Sequence, residues 1–288
     1  MKGSEGQKSL FDHIAERNNF STASVSGLAG GDINEVFLIT TTSSERFVVK
    51  LNSAAQFPGM FKAEKLGLQT LAEADAIVVP KVWDTGEFED LSYLLLEYKK
   101  SGKPKKDFWE SFGRQLAALH KCTATEFGSH PDNYIGSLPQ KNKNCKMASE
   151  FYILSRLEPQ LERARNRNFK LEVTHNFFQN ITELIPKEPP SLVHGDLWGG
   201  NYLVEEKGDP CLIDPAVAYA PREMDLAMMK LFGNFEHRLF DAYFEEFPVQ
   251  TGFEERLEIW QLYYLLVHLN IFGEGYRNSV ERIFRKFN

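Results

Sequence analysis

Between residues 35 and 98 the apolar positions fall in short blocks whose period switches between that of a strand and that of a helix. EVFLITTT (35–42) and RFVVKLN (46–52) are rich in β-branched and aromatic residues and are joined by Ser-Ser-Glu, which predicts a hairpin. KAEKLGLQTLAEA (62–74) brings Leu66, Leu68 and Leu71 round at helical intervals. The proline-containing run IVVPKVWDTGE (77–87) predicts a further strand. LSYLLLEY (91–98) is so continuously apolar that it predicts a central strand covered on both faces.

KKSGKPKK (99–106) breaks this pattern with charge, Gly and Pro, and predicts a linker. Beyond it helical periods take over. DFWESFGRQLAALHKC (107–122) places Phe108, Phe112, Leu116 and Leu119 on one face. EFYILSRLEPQLERARN (150–166) and NFFQNITELI (176–185) predict further helices, and helices are expected again from about residue 222 to the end. In between, LVHGDLWGGNYLV (192–204) sets polar residues and glycines in an apolar frame, and two short strands, YLVEE and PCLIDP, continue from it. The expected class is α+β with two lobes: a β-rich N-terminal lobe over 1–98, a linker over 99–106 and a mainly helical lobe over 107–288. That is the layout of a two-lobed phosphotransferase.

Composition narrows the partners. The 288 residues are 42% hydrophobic and 25% charged, as in soluble globular proteins, and suffice for a core in each lobe. A net charge of −7 makes neither nucleic acid nor a membrane surface an expected partner. Cys122, Cys145 and Cys211 are widely separated and form no CxxC pair, which argues for reduced thiols in the cytoplasm and against a thiolate metal site. The first residues carry no signal-peptide apolar core, and runs such as LYYLLVHL (262–269) are far short of a membrane span.

The chemistry concentrates in the polar loop. Asp196 and Asn201 stand in H-x-D-x-x-x-x-N spacing, and Asp214 ends the next apolar strand. Phosphoryl transfer from ATP asks a protein to hold the phosphates and Mg2+, and to orient the acceptor hydroxyl and accept its proton. In such a loop the Asp faces the hydroxyl and the Asn oxygen turns to the metal, with the second Asp as a further hard oxygen ligand. Either Asp alone also reads as a turn cap. It is their joint occurrence in one strand-flanked frame that favours chemistry. His194 is expected to brace the loop, and Asp225, at the start of the next helix, to accept its backbone N–H groups. In the N-terminal lobe, Gly30 and Gly31 precede a strand and expose N–H groups suited to phosphate oxygens. Lys50 ends RFVVK, where it either snorkels at the surface or reaches the phosphates with Glu64, fourteen residues on, as its acidic partner. The backbone of Glu97 and Tyr98, where the strand enters the linker, is expected to meet adenine.

Across nearly the whole chain these residues resemble the fructosamine kinase (ketosamine-3-kinase) family, related to the aminoglycoside phosphotransferases and distantly to protein kinases. The resemblance lies in HGDLWGGN, GGDINEVFLI, VVKLN, DNYIGSLPQ (132–140), the RLEPQL helix, LIDPAVAYAPREMDLAMM and HLNIFGEGY (268–276). It implies ATP- and Mg2+-dependent phosphorylation of the 3-hydroxyl of a ketosamine, a sugar adduct on an amine or a protein lysine. The product then breaks down and frees the amine, which amounts to deglycation. Carried over, Asp196 is the base, Asn201 and Asp214 hold Mg2+, and Lys50 with Glu64 positions the phosphates under the Gly30–Gly31 turn. Trp198 offers an aromatic face to a sugar, with core packing as its other reading. One of His268 and Asn270 is expected in the acceptor pocket, together with Asp132, Asn133 and Tyr134. The chain departs from the family pattern at Asp32, where some members carry Cys, and in KNKNCKM (141–147), which lacks an expected Trp. The alternatives are another small-molecule kinase of this fold, acting on an aminoglycoside, choline or a sugar, and a non-catalytic nucleotide-binding protein.

Overall fold

The computed structural model describes residues 4–28 and 33–288. Five antiparallel strands form the N-terminal sheet: β1 (Thr22–Gly27), β2 (Glu35–Thr41), β3 (Arg46–Ser53), β4 (Val82–Phe88) and β5 (Leu91–Glu97), in the order β1-β2-β3-β5-β4. β2 and β3 are the expected hairpin, with Phe37 opposite Val49. β5 lies between β3 and β4, as its continuous apolar run predicts.

Strand alternation sends β5 side chains to two cores. Tyr93 and Leu95 join Ile39, Val49 and Leu51 beneath a helix α1 (Ser4–Arg17), while Leu94 and Leu96 join Phe61 and Leu68 of α2 (Met60–Glu73). The sequence reading passed over α1, although Leu10, Phe11 and Ile14 make a short helical stripe, and all three are buried. Two further details differ. Leu66 is exposed, because the inward face of α2 is Glu64, Gly67, Leu68 and Leu71, at i, i+3, i+4 and i+7. Residues 77–81 lie outside the sheet: Val78 bridges to Cys211 in the helical half, so β4 begins only at Val82.

The segment 99–106 runs along the helical half and is tied to it. Gly102 N donates to Val204 O at 3.0 Å, Lys105 pairs with Asp209 at 2.6 Å, and a Cβ at Gly102 would collide with the Glu205 carbonyl. α3 (Phe108–His120) follows, with Phe108, Phe112, Leu116 and Leu119 all buried as its stripe predicts. Then come a small hairpin, β6 (Asn133–Ile135) with β7 (Leu138–Gln140), and the helical run α4 (Ala148–Tyr152), a π-helical turn (Ile153–Leu157) and α5 (Glu158–Asn166). The sequence reading made one helix of this run. Pro159 cannot donate to the carbonyl four residues back, and the helix widens there instead.

α6 (His175–Leu184) precedes four short strands, β8 (Ser191–Val193), β9 (Tyr202–Val204), β10 (Pro210–Leu212) and β11 (Ala218–Ala220), paired as β8·β11 and β9·β10. α7 (Glu223–Phe232), α8 (His237–Glu246), α9 (Phe253–Phe272) and α10 (Arg277–Phe287) complete the chain. α9 runs through the largest core, with Ile259, Trp260, Tyr263, Tyr264 and Leu266 buried. Among the described residues no helix is long and apolar enough to cross a membrane.

Candidate active site

The loop between β8 and β9 is built on Asp225, a fully buried carboxylate in the first turn of α7. It accepts the backbone N–H of His194 at 2.7 Å and of Gly195 at 2.9 Å, and His120 Nε2 lies 3.2 Å away. Burial opposes its charge, but His120, His194 and the Gly195 N–H outweigh that and hold its pKa below the ordinary value. His194 is buried in turn. Its Nε2 meets Ile213 O at 2.9 Å, and its Nδ1 faces the Asp196 N–H at 3.3 Å. That pattern fixes the neutral ring with the proton on Nε2, in keeping with a pKa lowered by burial. Gly195 has φ +84°, and a Cβ there would strike the Ala216 carbonyl, so two constraints require glycine.

Asp196 emerges half-buried from this base. Asn201, 6% exposed, donates its amide to Asp196 O at 2.8 Å and to Asp196 Oδ2 at 3.2 Å, which leaves Asn201 Oδ1 without a protein partner among the described residues. Burial first, and then the charge of Asp214, push the Asp196 carboxyl up to about 7, against a lowering by Asn201.

From the sheet, β3 delivers Lys50, which is 5% exposed. Its Nζ lies 2.7 Å from Glu64 Oε1 of α2 and 2.6 Å from Asp214 Oδ1, just past β10. Burial alone would lower the Lys50 pKa; the carboxylates of Asp214 and Glu64 overcome it and hold the ammonium well above its ordinary value. The expected Lys50–Glu64 pair is therefore present and has Asp214 as a third member. Asp214 takes the left-handed conformation, φ +55°, which Asp tolerates, and its side chain stays 41% exposed. Among the described residues no cluster of three or more His, Cys, Asp or Glu could hold a metal unaided. Asn201 Oδ1 and the second oxygen of Asp214 are hard donors that suit a divalent cation sharing its shell with phosphates.

The other expected residues divide. Gly30 and Gly31 lie outside the described residues. The Glu97 N–H is spent on Lys81 O at 2.8 Å, so that donor is not free for a base, and the Tyr98 ring lies under Arg46. Trp198 is 41% exposed, its indole folded over Gly200, where a Cβ would collide with it. His268 is half-buried, with its ring 4.5 Å from Phe232, 5.4 Å from Phe272 and 5.0 Å from Tyr276. Asn270, on another face of α9, is buried and donates to Gln160, so it does not join His268. Tyr134 donates to Pro58 O, Asp132 pairs with Lys141 at 2.7 Å, and Asn133 donates to Val217 O; all three tie down the β6–β7 hairpin.

The sequence reading missed Tyr264, whose hydroxyl lies 3.3 Å from Gly195 O one helical turn before His268. It also missed Asn234, which crowds Gly199 two residues beyond Phe232. α9 thus touches the polar loop through Tyr264 and carries His268 one turn further on. An aromatic at i−4 from a candidate His on one helix was a legible signal for Tyr264. Nothing local marked Asn234.

Comparison with known proteins shows the family of the chain. The model of the fructosamine kinase family matches residues 7–287. A probable ketoamine kinase of Enterococcus faecium is 38% identical over 266 residues, covering 90% of this chain and 94% of its own. The chloroplastic protein-ribulosamine 3-kinase of Arabidopsis thaliana is 36% identical, covering 90% and 81%. A crystal structure from Haemophilus somnus, of a protein provisionally named a fructosamine-3-kinase, superposes with a TM-score of 0.88 at 27% identity over 98% of this chain and 97% of its own. The aminoglycoside phosphotransferase APH(4)-Ia shares the fold alone, with a TM-score of 0.60 at 14% identity.

Proposed function

The chain belongs to the fructosamine kinase family, and from that premise we propose that it transfers the γ-phosphoryl group of ATP to the 3-hydroxyl of ketosamines. The acceptor class is sugar adducts on small amines or on protein lysines, and release of the amine follows. One observation carries the reading: Lys50, Glu64 and Asp214 meet in one ion cluster beside the Asp196–Asn201 pair, in a chain that matches the family from residue 7 to 287.

ATP bound with a divalent cation, here assigned as Mg2+, supplies the phosphoryl group and neutralises its charge. Lys50, fixed by two carboxylates, presents its ammonium to phosphate oxygens without having to be ordered on binding. Asp214 and Asn201 would hold the cation through oxygen. Asp196 accepts the proton of the attacking hydroxyl. Its carboxyl near 7 makes it a stronger base than an ordinary Asp while leaving it largely ionised at slightly alkaline pH. Trp198 and His268 are assigned to the acceptor side, where an exposed indole suits the C–H face of a sugar and its amine substituent. The three cysteines are free thiols, which suits a reducing compartment such as the cytoplasm.

An acceptor panel tests the assignment. Fructosyl- and ribulosyl-amines should drive ADP release in the presence of Mg2+, whereas the parent amines, an aminoglycoside and choline should not. Turnover of the aminoglycoside or choline in preference to ketosamines would contradict it.

A further inference from the structure

One group of buried polar side chains that the transfer step leaves unused converges on a guanidinium. Arg156 lies in the π-helical turn Ile153–Leu157 and is 2% exposed. Among the described residues no carboxylate is within ion-pair distance of it, an arrangement that carries a large desolvation cost. Its N–H groups go to neutral acceptors instead: Lys141 O at 2.7 Å, Ser155 O at 3.0 Å and Asn142 Oδ1 at 2.8 Å. The guanidinium also lies 4.4 Å over the Phe151 ring. Ser155 O is the carbonyl to which Pro159 cannot donate, so the widened turn and the arginine belong to one arrangement.

What Arg156 holds is informative. A guanidinium only donates, so the Asn142 atom facing it must be the oxygen, and the Asn142 NH2 is thereby aimed the other way. That NH2 donates to Pro131 O at 2.9 Å and to Val217 O at 3.3 Å. Val217 O also accepts from Asn133, Asn133 accepts from Gln140 at 2.8 Å, and Gln140 accepts from the Tyr263 hydroxyl. Val217 lies three residues beyond Asp214. Its neighbour Ala216 donates to His194 O at 2.8 Å and closes over Gly195. From the other side, α2 presses on the same stretch at Gly67, where a Cβ would come within 3.2 Å of Val217. The turn of the hairpin, at Gly136, packs against Ile271 and Ile33.

We propose that Arg156 is a positioning residue for the transfer reaction: by fixing the Asn142 amide it clamps residues 214–217 and the β6–β7 hairpin in one register behind the catalytic loop. It acts through Asn142 and Val217 on the backbone that carries Asp214 and supports Asp196. The choice of assay substrate rests on the ketosamine reading; the clamp itself does not.

Two variants of the full-length protein separate the clamp from general stability. Arg156→Met removes the guanidinium at similar volume. Asn142→Asp keeps a partner for Arg156 and removes the two amide donors, so it still tests the clamp where Arg156→Met does not fold. Both should lower kcat at least tenfold per folded enzyme, with KM for the ketosamine within twofold of wild type. Hydrogen exchange should accelerate in residues 131–142 and 214–220 and stay unchanged in β2 and β3. Unchanged exchange in those segments, a raised ketosamine KM with unchanged kcat, or a lower melting temperature with wild-type kinetics would overturn the inference. A wild-type enzyme inactive on ketosamines would sink the functional reading, and the exchange data would still decide the clamp.

Discussion

The Asp196 carboxyl is raised from 3.8 to about 7 because it is buried and shares its surroundings with Asp214. A carboxyl raised on folding contributes stability that is fully present below its unfolded pKa and is lost as pH climbs through the folded one. Wild type should therefore lose stability between about pH 4 and pH 7, and Asp196→Asn, which does not titrate, should not. At roughly 1.4 kcal/mol per pKa unit the ceiling is about 4 kcal/mol, and partial solvent access brings the expected difference to about 1–3 kcal/mol. Asp196→Asn should thus melt higher than wild type at pH 8, match it near pH 4, and have kcat lowered on the order of a thousandfold or more. Thermal melts across that pH range, with kcat measured alongside, check the claim; a variant that melts lower at pH 8 contradicts the raised carboxyl. Asp196, Asn201 and Asp214 were legible because their spacing is local. Gly195 was only half legible: its need for positive φ shows once the loop is drawn, but the collision with Ala216 depends on β11 returning beside β8.

Among the elements, β3, α2 and the end of β10 are joined by one ammonium. Removing it leaves Glu64 buried without its partner, while Asp214 is exposed enough to be solvated. Lys50→Met should therefore abolish phosphoryl transfer and destabilise the protein by about 1–3 kcal/mol, chiefly through Glu64. Adding Glu64→Leu should restore most of that stability without restoring activity, a coupling that chemical denaturation of the single and double variants measures. Additive losses would contradict the cluster. The strands here were readable from the sequence since the apolar run of β5 and the β2–β3 turn are self-contained signals. In α2 the helical spacing of Leu66, Leu68 and Leu71 did not give the inward face, since Leu66 is exposed, while the Lys50 partner Glu64, legible from the sequence, lies on it. α1 escaped for a related reason: its short stripe gains meaning only from the apolar sheet face that it covers.

Across the whole molecule, the linker is the element whose role changed most. Its charge, Gly and Pro read as a linker, yet Lys100 and Lys105 pair with Glu206 and Asp209 of the β9–β10 turn, and Gly102 lies against that turn. The sheet thus joins a strap already fastened to the helical half. Gly102→Ala should displace the strap and lower stability by about 1–2 kcal/mol, since the new methyl meets backbone, which cannot rotate away; an unchanged melting temperature would contradict that fastening. The two halves then meet at one ion cluster, where Lys50 of the sheet pairs with Asp214 of the helical half. The most direct test of what that cluster and the Asp196–Asn201 pair do is the site of phosphorylation on fructosyl-lysine after incubation with ATP and Mg2+, read by phosphorus NMR. The account predicts one phosphate, on the 3-hydroxyl, formed by wild type and not by Asp196→Asn. A phosphate on another hydroxyl, or equal product from the Asp196→Asn enzyme, would contradict it.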